Sequence, residues 1–130
     1  MDEHNELISL IFKWVSNNQD INNTFIFIDD LTFDFDRPPK IGNSIPDFYA
    51  KNLKSGFEAI GEAKPAYDIY SERTEKQFSD YFRYLKRNPN AILIYATSKG
   101  ATAQVKQIAY PIIKSLKIEE KRVTYLELCS

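Results

Sequence analysis

A continuous apolar run in the second half of the chain, AILIYA at residues 91–96, constrains the fold most. Its apolar residues do not alternate with polar ones, so both sides of a strand built from them must be covered. Amphipathic helix patterns flank the run, at about residues 71–86 and 101–117, the latter with a kink expected at Pro111. The sequence therefore predicts an α/β domain in which this run is a central strand.

The other periodicities extend this pattern to the order αβββαβαβ. Residues 6–15 have helical spacing, while residues 24–28 and 123–128 have the composition of strands. Residues 45–50 and 57–64 read as two strands of a hairpin, because residues 52–56 have the length and the glycine of its loop. Leu31, Phe33 and Phe35 alternate with polar residues and are expected to extend a hairpin. Residues 1–130 thus form one domain, a mixed central sheet flanked by helices.

Several classes of function are excluded by composition. The single cysteine, Cys129, permits neither a disulfide framework nor a Cys-x-x-Cys metal site. The single histidine, His4, is expected to be solvated at a frayed end, so histidine-assisted nucleophiles and zinc sites are not expected. The scattered glycines exclude the glycine-rich loops that bind nucleotide cofactors. The acidic start of the chain and the lack of long apolar runs predict a cytoplasmic protein without membrane contact.

Charge is distributed unevenly along the chain. Residues 1–36 hold eight acids and one base, Lys13, whereas residues 37–130 hold ten acids and sixteen bases. The basic part is suited to a polyanion such as nucleic acid, and the alternative is that these bases are solvated on helix faces. The acidic segment at residues 29–36 is expected to bind a second cation, contact a partner or face away from nucleic acid.

The predicted hairpin brings two acids together. In an antiparallel pair the numbers of opposed residues have a constant sum, so a turn centred between Lys54 and Ser55 places Asp47 opposite Glu62. Opposed side chains are about 5 Å apart at Cβ, close enough to share one cation, and Lys64 points to the same face. Magnesium prefers oxygen ligands of this kind. The alternative is a salt bridge of Lys64 at the end of the sheet.

These residues resemble the motif of the PD-(D/E)XK nuclease superfamily. Pro46-Asp47, fourteen further residues and Glu62-Ala63-Lys64 match the motif, and Gln77 and Tyr81 on the next helix resemble the QxxxY element of several members. The resemblance covers about residues 3–97 and implies a restriction-endonuclease-like αβββαβ core, extended by the last helix and strand. In size the chain is similar to Holliday-junction resolvases and VRR-NUC domains.

The resemblance implies a metal-dependent endonuclease that hydrolyses phosphodiester bonds in DNA, with RNA as an open alternative. Because a minimal domain has little surface for reading bases, we expect structure-selective binding, as a homodimer that cuts two strands with two sites. It implies that Mg²⁺ or Mn²⁺ is held by two carboxylates and a backbone carbonyl, and that a lysine acts on the attacking water. An acid of the first helix completes such sites, here Glu6 with Glu3 in reserve. The implied catalytic residues are Asp47, Glu62, Lys64 and Gln77; the implied metal ligands are Asp47, Glu62, the Ala63 carbonyl and Glu6.

Arg73, Lys76 and Tyr81 are expected to contact nucleic acid, and Asp68 to border the cleft. Each assignment outside the motif has a structural alternative: a solvated helix acid for Glu6, a capping box of Thr74 with Gln77, core packing for Tyr81 and plain surface charge for Arg73 and Lys76. The alternative function is a catalytically silent nucleic-acid-binding or assembly subunit on the same fold. A further alternative is an unrelated α/β domain, in which Asp47 and Glu62 lie apart.

Overall fold

The computed structural model describes residues 2–129 and has the element order that the sequence predicts. Three α-helices and five strands follow one another as α1 (Glu3–Asn18), β1 (Thr24–Ile28), β2 (Phe48–Asn52), β3 (Glu58–Lys64), α2 (Glu72–Arg87), β4 (Ala91–Thr97), α3 (Thr102–Leu116) and β5 (Val123–Glu127). Pro111 lies inside α3, as expected. No helix within residues 2–129 combines the length and the apolar composition that a bilayer crossing requires.

The five strands form one open mixed sheet whose spatial order equals the chain order. β1 and β2, and then β2 and β3, pair antiparallel, whereas β3, β4 and β5 run parallel. The two parallel connections pass through α2 and α3, as parallel pairing requires a crossover. The α/β class and the mixed sheet are thus confirmed.

Helices cover both faces of the sheet. On one face, α1 packs through Leu7, Ile8 and Ile11 on a surface of small and apolar strand residues that includes Phe48 and Ala63. On the other face, α2 and α3 pack on the residues that alternate with these. β4 contributes Ile94 to the first core and Leu93 to the second, so the strand is covered on both sides, as its continuous apolar sequence predicts.

The connection between β1 and β2, residues 29–47, contains no strand, so the prediction that Leu31, Phe33 and Phe35 extend a hairpin is wrong. Phe33 and Phe35 pack instead against α1, where the ring of Phe35 lies 5.7 Å from that of Phe12. Leu31 is fully exposed. Burying two rings on the helix stabilises this path more than pairing an acidic segment with a sheet edge, which explains the difference.

Gly61 allows the close approach of α1 to the centre of β3. A Cβ atom at this position would lie 2.9 Å from Cγ2 of Ile11 and 3.0 Å from Cβ of Phe48. These distances are shorter than van der Waals contact, and neither neighbour is at the end of a long flexible side chain. The glycine therefore sets the distance between α1 and the sheet.

We expect Gly61→Ala to lower the free energy of unfolding by about 1–3 kcal/mol, because the added methyl group overpacks the core. Urea denaturation monitored by circular dichroism measures the change. Ile11→Ala removes one of the two groups that the new methyl meets, so a double-mutant cycle is expected to show coupling between the two positions. Unchanged stability in Gly61→Ala would contradict this account of the helix position.

Candidate active site

The hairpin of β2 and β3 has the register that the sequence predicts. Phe48 pairs with Gly61 and Lys51 with Glu58. The four-residue loop 53–56 ends at Gly56, whose φ of 77° suits glycine, and the Asn52 N–H donates to the Phe57 carbonyl at 2.9 Å. One step beyond Phe48 and Gly61, this register places Asp47 opposite Glu62.

Pro46 ends the ladder between the two strands and explains why β2 begins at Phe48 rather than at residue 45. The same register sets Pro46 opposite Ala63, and a proline nitrogen has no hydrogen to donate. The Ala63 N–H donates instead to Oδ2 of Asp47 at 2.9 Å. The N–H and C=O of a strand residue point to the same side, so the Ala63 carbonyl also points towards the strand end that carries Asp47. Pro46, its partner in the register, has no N–H to donate to it.

Glu62 lies beneath α2 with a side chain that is 1% exposed. Oε1 accepts a hydrogen bond of 2.6 Å from the Tyr81 hydroxyl, and Oε2 lies 3.7 Å from Nζ of Lys64. Burial and the charge of Asp47 raise the pKa of Glu62 well above its usual range, although Lys64 and Tyr81 act in the opposite direction. A hydrogen bond with Asp47 further favours the neutral form of Glu62.

The pKa of Asp47 is shifted in the direction opposite to that of Glu62. Burial raises the pKa of Asp47, but hydrogen bonds from His4 and from the Ala63 N–H outweigh that effect, so the pKa lies below its ordinary value. Two carboxyl groups with pKa values pushed in opposite directions are typical of functional sites.

Lys64 is also buried, at 1% exposure, and its Nζ atom is surrounded by oxygen. It donates to Oε1 of Gln77 at 2.5 Å and lies 3.6 Å from Oδ2 of Asp68. Gln77 is therefore part of this cluster. It is not a capping residue, because Ser71 is the N-cap of α2 and its hydroxyl accepts from the Thr74 N–H at 3.1 Å.

The sheet face that carries the charged residues is also part of the core. Alternation does place Asp47, Glu62 and Lys64 on one face, but α2 covers that face as well. The side chain of Asp47 is 12% exposed and that of Asp68 is 28% exposed. Solvent therefore reaches the cluster from its Asp47 and Asp68 ends.

The first helix contributes a histidine where an acid was expected. Nε2 of His4 lies 3.4 Å from Oδ1 of Asp47, and its Nδ1 lies 3.7 Å from Oδ2 of Asp30. The hydrogen bond to Asp47 raises the pKa of His4, against the effect of burial, and the negative charge of Asp30 adds to the rise. The prediction that His4 is a solvated residue at a frayed end is thus wrong.

Glu6 is exposed, so its expected role as a metal ligand is not supported. It lies two residues after His4, about 200° round the helix, and faces away from Asp47. Glu3, the reserve, accepts from the Ser98 hydroxyl at 2.8 Å and does not replace it. The sequence feature that indicates the position of His4 is the N-cap at Asp2. Asp2 accepts from the Asn5 N–H, so the helix starts at residue 3 and includes His4 in its first turn.

Tyr81 is fully buried, so the expectation that it contacts nucleic acid is wrong; its hydroxyl orients Glu62. Arg73 and Lys76 line a cleft of about 300 Å³ together with Lys40 and Gln77. Because Gln77 also binds Lys64, the two bases lie next to the buried cluster. Their predicted contact with nucleic acid is compatible with this position and stays a prediction.

We expect the free energy of unfolding of Glu62→Gln, measured relative to that of the wild type, to increase with pH. Above about 4.5, the ordinary pKa of a glutamate, the folded wild type holds a proton that the unfolded chain has lost. Its free energy of unfolding therefore falls with pH through that window, by up to about 1.4 kcal/mol per pH unit, and glutamine lacks this loss. Urea denaturation in EDTA from pH 5 to 8 tests this, and a difference independent of pH would contradict it.

Comparison with known proteins identifies no family for the chain: no protein-family model, no curated protein and no solved structure matches it. Within residues 2–129, no cluster of three or more His, Cys, Asp or Glu side chains has the arrangement of a metal site. The carboxyl groups of Asp47 and Glu62 meet in a hydrogen bond, and Oδ2 of Asp47 accepts from the Ala63 N–H.

Proposed function

We propose that the protein is a metal-dependent nuclease that hydrolyses phosphodiester bonds in DNA, with its active site at Asp47, Glu62, Lys64 and Gln77. The observation that carries the proposal is the meeting of three buried ionisable side chains, Asp47, Glu62 and Lys64, at the end of one hairpin. The element order α1, β1, β2, β3, α2, β4 also supports a restriction-endonuclease-like αβββαβ core, extended by α3 and β5.

The donor set fits Mg²⁺ or Mn²⁺. Asp47 and Glu62 supply carboxylate oxygens, the Ala63 carbonyl is deprived of its ladder donor by Pro46, and hard cations take oxygen ligands of these kinds. A divalent cation would also offset the repulsion between Asp47 and Glu62, which contributes to the raised pKa of Glu62. When bound, such a cation acts as a Lewis acid and lowers the pKa of a water molecule bound to it.

Each protein group has a separate role in this proposal. Lys64 orients the attacking water and offsets the negative charge that develops on the phosphate, a contribution that is usually large in such reactions. Gln77 and Asp68 hold its Nζ in place. Tyr81 fixes Glu62 from the side of α2, and His4 fixes Asp47 from the side of α1, so both are positioning residues.

The proposal predicts cleavage of plasmid, branched or single-stranded DNA in the presence of Mg²⁺ or Mn²⁺, and loss of cleavage in EDTA. We expect Asp47→Asn and Lys64→Met each to lower the rate at least about 100-fold, because each removes a charge from the site. Gel assays of purified protein measure the rate. RNA is assayed in parallel, because the proposed chemistry does not require deoxyribose.

Glu58→Gln provides a matched control for these variants. Glu58 is buried on the same strand, accepts hydrogen bonds from Tyr49 and Tyr84, and lies four residues, about 13 Å, from Glu62. We expect this variant to cleave within a few-fold of the wild type, whereas Glu62→Gln is inactive. Equal losses in the two variants, or a wild type inert on every substrate, would refute the nuclease. Absence of Glu62-dependent Mg²⁺ binding in calorimetry would favour the silent binding subunit.

A further inference from the structure

Two tyrosines stand exposed on the segment that follows Lys64. Tyr67 is 84% exposed and Tyr70 is 68% exposed, which places them among the most exposed large apolar side chains of the described residues. Both lie between β3 and α2, within six residues of Lys64. Single exposed apolar residues are common on protein surfaces, but two aromatic rings beside a buried cluster of charged groups need an explanation.

The segment that carries these tyrosines is fixed to the rest of the protein. Ile69, between them, is completely buried. The Ala66 N–H donates to the Ser98 hydroxyl at 2.9 Å, and the Asp68 carbonyl accepts from the Thr74 hydroxyl at 2.6 Å. The two rings therefore project from an ordered backbone. Binding of a ligand to them costs little conformational entropy of the protein.

The basic cleft begins immediately after this segment. Arg73 follows Tyr70 by three residues, Lys76 is one helical turn further, and Lys40 faces them from the connection between β1 and β2. Asp29 is the only acid that lines the cleft among the described residues, and it pairs with Arg37 at 3.3 Å. Glu72 and Glu75, in the first turn of α2, do not line it.

The wall of the cleft that carries Lys40 is itself fastened to α2. The Ser44 hydroxyl donates to Oδ2 of Asp80 at 2.6 Å. Gly42 has a φ of 62°, and a Cβ atom there would lie 2.7 Å from Oδ1 of the same aspartate. The cleft is thus held open between a helix and a fastened turn, with a volume of about 300 Å³.

We propose that Tyr67, Tyr70 and the basic cleft form a binding site for unpaired nucleotides, in which bases stack on the two tyrosines and backbone phosphates lie along Lys40, Arg73 and Lys76. Aromatic rings next to a positive groove are the features that bind single-stranded nucleic acid. In a double helix the bases are already stacked and paired, so exposed rings gain less from them. This site rests on the proposed function, since it makes single-stranded or frayed nucleic acid the substrate class of that nuclease.

Binding of fluorescein-labelled oligonucleotides, followed by anisotropy in EDTA, tests the site without cleavage. The probes are single-stranded DNA and RNA 20-mers and a duplex of the same DNA sequence. We expect the single strands to bind at least about 10-fold more tightly than the duplex. Comparison of the DNA and RNA strands shows which sugar is preferred, since stacking on the rings serves either.

Substitution of the tyrosines separates stacking from charge. Tyr67→Ala and Tyr70→Ala are each expected to weaken single-strand binding about 5- to 100-fold, while Tyr67→Phe and Tyr70→Phe keep most of it. Tyr110→Ala, which removes an exposed tyrosine of α3, is the matched control and is expected to bind as the wild type does. Lys76→Ala is expected to reduce the slope of log affinity against log salt by about 0.7, the contribution of one phosphate contact.

Binding to duplex as tight as to single strands, or binding that both Tyr→Ala variants retain within 2-fold, would overturn the site. So would the absence of any oligonucleotide binding, which would leave the tyrosines to a protein partner. The two proposals fail differently. Single-strand binding through the tyrosines without any cleavage refutes the nuclease and supports the site, whereas cleavage of duplex DNA unaffected by the tyrosine variants supports the nuclease and overturns the site.

Discussion

Mutual compensation of buried charge is the constraint on which the candidate site depends. Asp47, Glu62 and Lys64 lie in a sheet with both faces covered, where an uncompensated charge is costly. Each group is satisfied by the others and by polar atoms from three directions: His4 on α1, the Ala63 N–H on β3, and Gln77 and Tyr81 on α2. Both helices are therefore tied to the hairpin through the site as well as through apolar packing.

The two faces of β3 carry different kinds of side chain, small ones on one face and mainly polar ones on the other. Towards α1 the strand presents Ala59, Gly61 and Ala63, which allow the helix to come close. Towards α2 it presents Ile60, which packs in the core, and the long side chains of Glu58, Glu62 and Lys64, which end in hydrogen bonds to helix residues. Glu58 and Glu62 each accept a hydrogen bond from a tyrosine of α2. These bonds fix the orientation of α2 on the sheet, in addition to the apolar area that the helix buries.

Much of the fold can be predicted from local sequence patterns, because periodicity and turn signals depend only on residues that are close together in the sequence. The periods of 2 and 3.6, the apolar run of β4 and the turn before Gly56 give the element order and the hairpin register. The register in turn explains why Asp47 and Glu62 meet. Other features depend on tertiary contacts that no local pattern contains: the packing of Phe33 and Phe35 on α1, and the cover of α2 over Glu62 and Lys64. The position of His4 does have a local signal, because the N-cap at Asp2 places it in the first turn of α1.

The loop at residues 53–56 lies about 17 Å along the hairpin from Asp47, and yet its length decides which side of the sheet that residue occupies. Leu53, Lys54 and Ser55 are exposed, so their identities are under little constraint from packing. Adding or removing one residue, however, would shift the pairing by one and turn Asp47 away from Glu62 unless a bulge absorbed it. The geometry of the distant site thus depends on the length of this loop but little on its amino-acid composition.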